Sequence, residues 1–422
     1  MTDAARPRWL DEGLRHIWLP YTQMKTARPP LPVVAADGVR LKLADGRELI
    51  DGIASWWTVA HGYRHPHIEA AIRDQLARLP HIMLGGLAHE PAYRLAARLA
   101  AVLPGTLNRV FFSESGSVAI EIAMKMAVQY WLNRGERRTR FVGFLGGYHG
   151  DTFAAMSVCD PEEGMHRLFK GFLPQQHVVA LPTDERTAAA FDALLAANAR
   201  EIAAILVEPL VQGAGGMRFH NAETLQAIRA ACDRHGVLLI CDEIFTGFGR
   251  TGALFACVAA DFVPDIVTLG KALTGGTLPL AATVATDQVF ETFLADDPSH
   301  ALMHGPTYMG NALACAAANA SLDLFEAEPR LERVAMIEAQ LWHELAPAQN
   351  APGVIDVRAM GAIGVIQFDR PVDAERLTER FVDAGVWLRP FRDIIYTTPP
   401  LTIGMDDLSR ITRAMVDGAR AG

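Results

Sequence analysis

The chain has 422 residues, of which 50% are hydrophobic and 21% charged, a composition typical of a folded enzyme with room for two cores. Its net charge of −9 argues against a broad basic surface for nucleic acid. The five cysteines are scattered without a Cys-x-x-Cys pair, which argues against a disulfide framework or zinc site. Because no run reaches the ~18 apolar residues of a membrane helix, and the first residues lack the apolar core of a signal peptide, we expect a cytoplasmic protein that binds neither nucleic acid nor membrane.

The N-terminal region predicts a β-hairpin, because two strand-like segments at 39–43 and 48–51 flank the turn signal Asp45-Gly46. Trp56 and Trp57 follow this hairpin. Packing in a core is the ordinary role of tryptophan, and a wall against an apolar or cationic substrate is the functional alternative.

Three histidines come next, but they predict no metal site. Gly62 and Pro66 place them in a loop, and no cysteine is near. We interpret these histidines as solvated or turn-forming side chains. The three residues are His61, His65 and His67.

Apolar segments alternate with helical patterns from about residue 61 to 325. Such alternation predicts βαβ units and a mainly parallel sheet, with functional groups at the carboxyl ends of the strands. The predicted strands are Arg109–Phe112, Phe141–Phe144, Ile202–Val207, Val237–Cys241 and Ile266–Leu269. Residues 326–422 begin with an amphipathic stretch at 331–345 and continue with apolar segments. We predict a large domain over 61–325 and a small α+β domain built from 1–60 and 326–422.

Lys271 and Asp242 are the residues that most strongly indicate chemistry. Lys271 follows a predicted buried strand and is flanked by glycines, so its amine is expected to be desolvated, with a lowered pKa suited to forming a Schiff base. Asp242 ends the preceding predicted strand. An amine that holds an aldehyde, beside a carboxylate that pairs with a pyridinium nitrogen, suits pyridoxal phosphate.

Further candidates follow other predicted strands. Gly116 and Ser117 begin a helix after a strand, which favours a phosphate site, although a simple helix cap has the same pattern. Tyr148 is placed to stack on a heteroaromatic ring or to pack in a turn. Glu208 either reaches the cofactor region or caps a loop, and Glu243 forms an ion pair or, with weaker support, binds a metal.

Asp242, Glu243 and Lys271 belong to a motif that resembles that of the class III (fold type I) pyridoxal-phosphate aminotransferases. The motif is highly specific, and its segments are 239–244, 246–252, 264–266 and 269–271. The resemblance spans the chain. It implies a large α/β domain with a mainly parallel seven-stranded sheet between helices, and a small α+β domain built from both termini.

Within this family, the chain is most similar to the members that act in biotin synthesis. This narrower resemblance is carried by the segments 16–24, 55–57, 147–152, 271–276, 304–311 and 385–391. It departs from the usual pattern at Phe245, Ala312 and Arg392-Asp393, where no functional side chain is lost. It implies ping-pong transfer of the amino group of S-adenosylmethionine to 8-amino-7-oxononanoate, giving 7,8-diaminononanoate.

The resemblance also implies roles for individual residues. Lys271 would form the Schiff base and move the proton, Asp242 would hold the pyridine nitrogen protonated, and Tyr148 would stack on the ring. Around the cofactor would lie Gly116, Ser117 and Glu208, with Pro306 and Thr307 reaching the phosphate from the partner in a homodimer. The substrate pocket would be lined by Tyr21, Trp56, Trp57, Tyr148, Lys271, Gly305 and Tyr396, with Arg389 binding the substrate carboxylate and Arg250 as a further candidate.

Three alternatives stay open at this point. Another class III aminotransferase, with lysine, 4-aminobutyrate or ornithine as donor, would use the same Lys271 and Asp242. A non-catalytic cofactor-binding protein is disfavoured, because Lys271, Asp242 and Tyr148 are all present. A nicotinamide oxidoreductase is disfavoured as well, because the glycines at 213–216 lack the GxGxxG spacing.

Overall fold

The fold consists of fourteen helices and sixteen strands within residues 7–162, 167–169 and 171–421, which the computed structural model describes. The helices are α1 (Arg8–Gly13), α2 (Ala54–Trp57), α3 (Pro66–Arg78), α4 (Glu90–Val102), α5 (Gly116–Asn133), α6 (Phe153–Ser157), α7 (Glu185–Asn198), α8 (Ala222–His235), α9 (Ala256–Ala259), α10 (Asp287–Glu291), α11 (Ala312–Ala327), α12 (Arg330–Leu345), α13 (Ala374–Asp383) and α14 (Met405–Arg420). The strands are β1 (Val33–Asp37), β2 (Arg40–Leu43), β3 (Glu48–Asp51), β4 (Leu107–Ser113), β5 (Arg140–Phe144), β6 (His177–Val179), β7 (Ile202–Val207), β8 (Val211–Gln212), β9 (Arg218–Phe219), β10 (Leu238–Asp242), β11 (Ile266–Leu269), β12 (Ala281–Thr286), β13 (Val354–Met360), β14 (Ile363–Phe368), β15 (Val386–Trp387) and β16 (Ile394–Thr397).

A seven-stranded sheet in the order β4-β12-β11-β10-β7-β5-β6 forms the centre of the molecule. Only β12 runs antiparallel to its neighbours in this sheet, so the other six strands end at one edge. Every residue of β7, β10, β11 and β12 is buried, which explains their mostly apolar sequences. The predicted α/β fold with a mainly parallel sheet is confirmed.

Helix α5 packs along this sheet and brings its first turn to the edge where the parallel strands end. Ile122, Met126 and Tyr130 are spaced four residues apart and lie on its buried face. Ser115 caps the helix, because its Oγ accepts a hydrogen bond from the Val118 amide at 3.4 Å. The start of α5 therefore lies directly after β4, beside the carboxyl ends of the parallel strands.

Two smaller sheets contain the segments at either end of the chain. The predicted hairpin is present, because β2 and β3 pair antiparallel on either side of the Asp45-Gly46 turn. β3 also pairs in parallel with β15, which places Asp51 opposite Trp387. A separate sheet has the order β13-β14-β16. The domain boundaries at residues 60 and 325 stay a prediction.

The interpretation of His61 as a solvated side chain is wrong. His61 is buried, its Nε2 lies 3.0 Å from Ser321 Oγ, and its Nδ1 accepts a hydrogen bond from Arg330 Nε at 3.2 Å. Burial and the nearby Arg330 charge lower the pKa of His61 to about 3, so the ring is neutral. His67 is exposed and pairs with Asp323 at 2.9 Å.

Candidate active site

Three ionisable side chains lie at the ends of three neighbouring parallel strands. Glu208 follows β7, Asp242 ends β10, and Lys271 follows β11 after one glycine. The strand register pairs Cys241 with Val207, and Asp242 with Thr268. The sheet therefore brings together the amine and the carboxylate that the sequence placed at neighbouring strand ends.

Asp242 forms a buried pair with a histidine to which the sequence reasoning gave no role. Its Oδ2 lies 2.8 Å from His149 Nδ1, and its Oδ1 accepts hydrogen bonds from the Ile244 amide at 3.1 Å and Thr268 Oγ1 at 3.3 Å. Burial alone would lower the pKa of His149, but the hydrogen bond and negative charge of Asp242 outweigh burial and raise it. The contact with His149 fixes the position of the Asp242 side chain at the strand end, where it can pair with a protonated ring nitrogen.

Lys271 has the surroundings that favour a neutral, nucleophilic amine. Burial lowers the pKa of Lys271, and the charges of Asp242 and Glu208 offset only part of this effect. Its backbone is left-handed, with φ of 44°, at the start of a short 3-10 turn (Lys271–Thr274). The Nζ atom lies 5.1 Å from the centroid of the Trp57 ring. An amine held against an aromatic face in a buried site is well placed to attack an aldehyde.

Glu208 organises two loops beside this pair. Its Oε2 accepts a hydrogen bond from the Tyr148 amide and its Oε1 one from the Gly213 amide, each at 3.0 Å. Burial raises the pKa of Glu208 to about 7, although the nearby His149 acts in the opposite direction. The contacts thus show that Glu208 caps two loops, as one of the two alternatives predicted. The charges of Asp242 and His149 also act on its side chain.

The start of α5 forms one wall of a cleft of about 340 Å³ that has Lys271 among its lining residues. The other lining residues are Thr58, Glu114, Ser115, Gly116, Gly276, Thr277, Leu278, Pro279 and Leu280. The unpaired amides and dipole of a helix start favour a phosphate there. Ser117 turns to the adjacent loop, where its Oγ bonds Thr152 Oγ1 at 2.8 Å and accepts from the Thr152 amide at 3.0 Å.

Two tyrosines share one carboxylate at the mouth of the site. Tyr148 donates a hydrogen bond to Asp151 Oδ1 at 3.0 Å, Tyr21 donates to the other oxygen of Asp151, and the two hydroxyls lie 3.5 Å apart. Burial and the Asp151 charge raise the pKa of Tyr21 to about 12, so both phenols are neutral donors. The structure thus joins the N-terminal segment to the loop that carries Tyr148, and Asp151 is a contact that single-residue reasoning missed.

Trp56 and Trp57 point to two different parts of the site. The Trp56 ring is 39% exposed, lies 4.8 Å below the Arg389 guanidinium and meets the Tyr21 ring edge-on. Trp57 is buried, and its Nε1 donates to the Tyr396 hydroxyl at 3.3 Å. We call the four rings of Tyr21, Trp56, Trp57 and Tyr396 the aromatic wall.

This wall depends on an unusual backbone. Ala54, Ser55, Trp56 and Trp57 have φ values of 47°, 47°, 70° and 75°, so α2 turns left-handed. Left-handed helical backbone costs roughly 1–2 kcal/mol for each residue that carries a side chain. Phe245, noted above as a departure from the family pattern, packs 4.4 Å from Trp57 between ring centroids.

Arg250 is held in the interior by contacts with the backbone. It is buried, and its Nη1 donates to the backbone oxygens of Ala362 at 3.1 Å and Pro399 at 2.8 Å. Burial lowers the pKa of Arg250 to about 10, and Asp51 acts in the opposite direction. These contacts connect the segment that follows β10 to the C-terminal part of the chain. A direct role of Arg250 in a substrate pocket stays a prediction.

Gly305, Pro306 and Thr307 are presented at the surface. A Cβ added at Gly305 would meet no described heavy atom within 4 Å, and the Thr307 carbonyl lies 3.0 Å from His81 Nε2. Lys125 on α5 holds the start of this segment, with its Nζ 2.7 Å from the Met303 carbonyl oxygen. Exposure of this kind suits a segment that reaches a second subunit, and its role stays a prediction.

Comparison with known proteins identifies the family. The Aminotransferase class-III profile matches residues 21–418, nearly the whole chain. The chain belongs to this family. Among relatives, the adenosylmethionine-8-amino-7-oxononanoate aminotransferase of Mycobacterium leprae is 48% identical over 96% of this chain and 95% of its own length. The protein of that name from Corynebacterium glutamicum is 44% identical over 95% of this chain and 96% of its own.

Solved structures of other aminotransferases share the fold. The adenosylmethionine-8-amino-7-oxononanoate aminotransferase of Methanocaldococcus jannaschii superposes with a TM-score of 0.93, at 33% identity and 98% coverage of both chains. An amine transaminase from an uncultivated Pseudomonas species, with pyridoxal phosphate bound, gives 0.90 at 33% identity, covering 96% of this chain and 98% of its own. The predictions of a fold type I aminotransferase and of pyridoxal phosphate as cofactor are confirmed.

The residues of this class III aminotransferase fit the cofactor. A buried amine of lowered pKa, an acid paired to a buried histidine, and a helix start lie around one sheet edge. Across the described ranges, no cluster of three or more His, Cys, Asp or Glu side chains is arranged to bind a metal, and Glu243 instead accepts hydrogen bonds from the amides of Ala256 and Cys257. No helix in the same ranges is long and apolar enough to cross a membrane.

Proposed function

We propose that this chain transfers the amino group of S-adenosylmethionine to 8-amino-7-oxononanoate, giving 7,8-diaminononanoate for biotin synthesis. The observation that carries the proposal is the end-to-end similarity to several proteins named for this reaction, at up to 48% identity. We infer a cytoplasmic enzyme that acts as a homodimer. The amino group would pass in two half-reactions, first to the cofactor and then to the ketone.

Lys271 and Asp242 are the principal catalytic residues in this proposal. Bound pyridoxal phosphate supplies an electrophilic aldehyde and a ring that accepts electron density from the substrate. The Lys271 amine, made more readily neutral by burial, would hold the cofactor at its aldehyde and would carry a proton to and from the substrate carbon. Asp242, with His149 behind it, holds a proton at the ring nitrogen. Tyr148 supplies a ring face, and Gly116 and Ser117 hold the phosphate.

The aromatic wall supports two unlike substrates. S-adenosylmethionine carries a sulfonium and an adenine, whereas 8-amino-7-oxononanoate has a long apolar chain that ends in a carboxylate. Aromatic faces attract cations and also pack against apolar groups. The Arg389 guanidinium, stacked 4.8 Å above Trp56, supplies the fork that binds a carboxylate. Gly305 would contact substrate through its backbone, and Arg250 would be a further pocket residue.

The homodimer proposal depends on Pro306 and Thr307. We infer that this exposed segment reaches the phosphate of the partner subunit, so that each site is built from two chains. Lys125 and His81, which contact the segment within its own chain, would hold it in the reaching position.

Single half-reactions test the donor. Addition of S-adenosylmethionine alone to the holoenzyme is expected to remove the visible absorbance of the bound cofactor within one turnover, and later addition of 8-amino-7-oxononanoate to restore it. Lysine, ornithine, 4-aminobutyrate and a simple amine serve as comparison donors. An unchanged spectrum with S-adenosylmethionine, together with a rapid change with one of the comparison donors, would reject the proposed donor.

The second candidate function is an aminotransferase that takes its amino group from one of the comparison donors. Amine transaminases share the fold at TM-scores near 0.90, with 33% identity for the one from the Pseudomonas species. The same spectral experiment separates this candidate from the first.

A further inference from the structure

The left-handed turn Ala54–Trp57 is the most strained backbone in the site. Its φ values are all positive, and the ψ values of Ser55 and Trp56 are 49° and 47°, close to an ideal left-handed helix. The Trp57 amide donates to the Ile53 oxygen and the Thr58 amide to the Ala54 oxygen, both at 2.8 Å. No glycine lies in the turn to relieve the clash of Cβ with backbone. A conformation of this kind persists only when its surroundings hold it.

Asp51 is the residue that holds it. This side chain is fully buried at the end of β3. Its Oδ1 accepts a hydrogen bond from the Ile53 amide at 2.9 Å, and its Oδ2 accepts from the Ser55 amide at 2.7 Å and the Tyr63 hydroxyl at 2.6 Å. Both backbone donors belong to the entry of the turn. Burial raises the pKa of Asp51, and the hydrogen bonds from Tyr63 and the two amides act in the opposite direction.

The turn decides where two rings of the wall point. Trp56 leaves it toward Arg389, and Trp57 leaves it toward Lys271 and Tyr396. Because these are consecutive residues, a change to right-handed backbone would swing both rings from their partners. The position of the carboxylate of Asp51 is therefore coupled to the geometry of the pocket, although Asp51 itself contacts neither Lys271 nor Arg389 through any described hydrogen bond.

We propose that Asp51 is a positioning residue that fixes the left-handed turn and thereby aligns Trp56 and Trp57 with the substrate. The substrates used to measure the effect come from the proposed function, on which this inference rests. The proposed function and the role of Asp51 can be tested separately. The proposed function is tested with the wild-type enzyme, whereas the role of Asp51 is tested with variants and with spectroscopic signals that need no substrate.

The principal test is Asp51→Asn in the full-length holoenzyme. Asparagine has nearly the same shape but only one oxygen, so it retains the bond to one of the two backbone amides and faces the other with an N–H group. We expect the KM for both substrates to rise about tenfold while kcat falls less, since ring misplacement weakens binding before it changes the Lys271 chemistry. Tryptophan fluorescence should shift, and the cofactor absorbance should stay that of wild type.

A rescue experiment separates positioning from simple loss of stability. Glycine adopts positive φ without steric cost, so Ser55→Gly should stabilise the turn on its own. We expect Asp51→Asn/Ser55→Gly to recover at least about half of the lost substrate affinity on a logarithmic scale. If Asp51→Asn alone fails to fold, the double variant should fold.

Two matched controls complete the design. Tyr63→Phe removes one bond to Asp51 but leaves both backbone amides paired, so KM should change by less than about threefold. Asp265→Asn removes a comparable acid, which accepts from the Leu239 amide at 2.7 Å and from Arg229 at 2.8 Å near the start of β11, so it should lower stability without changing KM. Unchanged KM in Asp51→Asn, a KM change matched by Asp265→Asn, or a double variant that restores neither folding nor affinity would each overturn the proposal.

Discussion

At the scale of single residues, burial decides which charges the site can use. The Lys271 amine becomes easier to deprotonate because it is buried, whereas His149 becomes harder to deprotonate because Asp242 lies 2.8 Å away. The two shifts are opposite in sign although both groups are bases. The difference arises because His149 has a carboxylate in direct contact and Lys271 has only more distant acids.

Replacement of Lys271 by alanine should abolish transfer and leave the fold intact. We expect kcat to fall by more than about 10²-fold, since both the nucleophile and the proton carrier are lost, and the visible absorbance of the covalently held cofactor to disappear. Steady-state kinetics and an absorbance spectrum measure this. Lys42→Ala, on the exposed side of β2, is the control. Near-wild-type turnover of Lys271→Ala would refute the assignment.

Replacement of Arg389 by alanine should affect the two half-reactions unequally. A guanidinium–carboxylate contact contributes about 1.5–3 kcal/mol, so the half-reaction with 8-amino-7-oxononanoate should weaken by roughly 10- to 100-fold. The half-reaction with S-adenosylmethionine should change less. Arg47→Ala is the control, because Arg47 lines the same large surface cleft as Arg389 but pairs with Asp45. Equal losses in single-turnover measurements of both halves would contradict a role specific to the oxononanoate.

At the scale of elements, apolar runs predicted five of the seven central strands, because the centre of the sheet is buried on both faces, but they missed β6 and β12. The meeting of Asp242 with Lys271 also followed from sequence, since the carboxyl ends of neighbouring parallel strands share an edge. The contact of His149 with Asp242 did not, because it joins a loop after β5 to the end of β10. The left-handed turn gave no signal either, because Ala-Ser-Trp-Trp contains none of the residues that usually adopt positive φ. Its cause lies in the buried Asp51 carboxyl group, which accepts hydrogen bonds from the Ile53 and Ser55 amides.

The packing of the 148–152 loop against the start of α5 gives an element-scale prediction. A Cβ at Gly150 would lie 2.3 Å from Ser117 Oγ and 2.8 Å from Ser117 Cα, and Gly150 has φ of +122°. Gly150→Ala should therefore displace the first turn of α5 and weaken cofactor binding by about tenfold or more. Titration of cofactor-free protein with pyridoxal phosphate measures the dissociation constant.

Gly135→Ala is the matched control for that titration. Gly135 also has positive φ, at +79°, but an added Cβ would meet nothing described within 4 Å, and it follows the far end of α5. Its substitution should lower stability slightly and leave the dissociation constant unchanged. Equal effects of the two substitutions would show that backbone strain alone, rather than the contact with Ser117, is responsible.

At the scale of the whole molecule, the buried Glu208 couples stability to pH. Its pKa is raised from 4.5 to about 7, so the folded state binds a proton more tightly than the unfolded state does. The resulting stabilisation is complete below about pH 4.5 and is lost as pH rises through about 7.

The variant Glu208→Gln isolates this effect. The free energy of unfolding of wild type, relative to that of Glu208→Gln, should fall by roughly 1–3 kcal/mol between pH 4.5 and 7.5. Denaturant unfolding at several pH values provides the measurement, with Glu332→Gln on the exposed side of α12 as control. A difference that stays constant across this range would show that Glu208 has an ordinary pKa.

The parallel pairing of β3 with β15 has a consequence for how the enzyme is made. Trp56 follows β3 and Arg389 follows β15, so all strands of the central sheet lie between these two residues in the sequence. On the ribosome, all strands of the central sheet emerge before β15 does, and domains tend to assemble in that order. The nascent chain can thus complete its cofactor-binding sheet before β15 emerges, while the contact of Arg389 with Trp56 can form only afterwards.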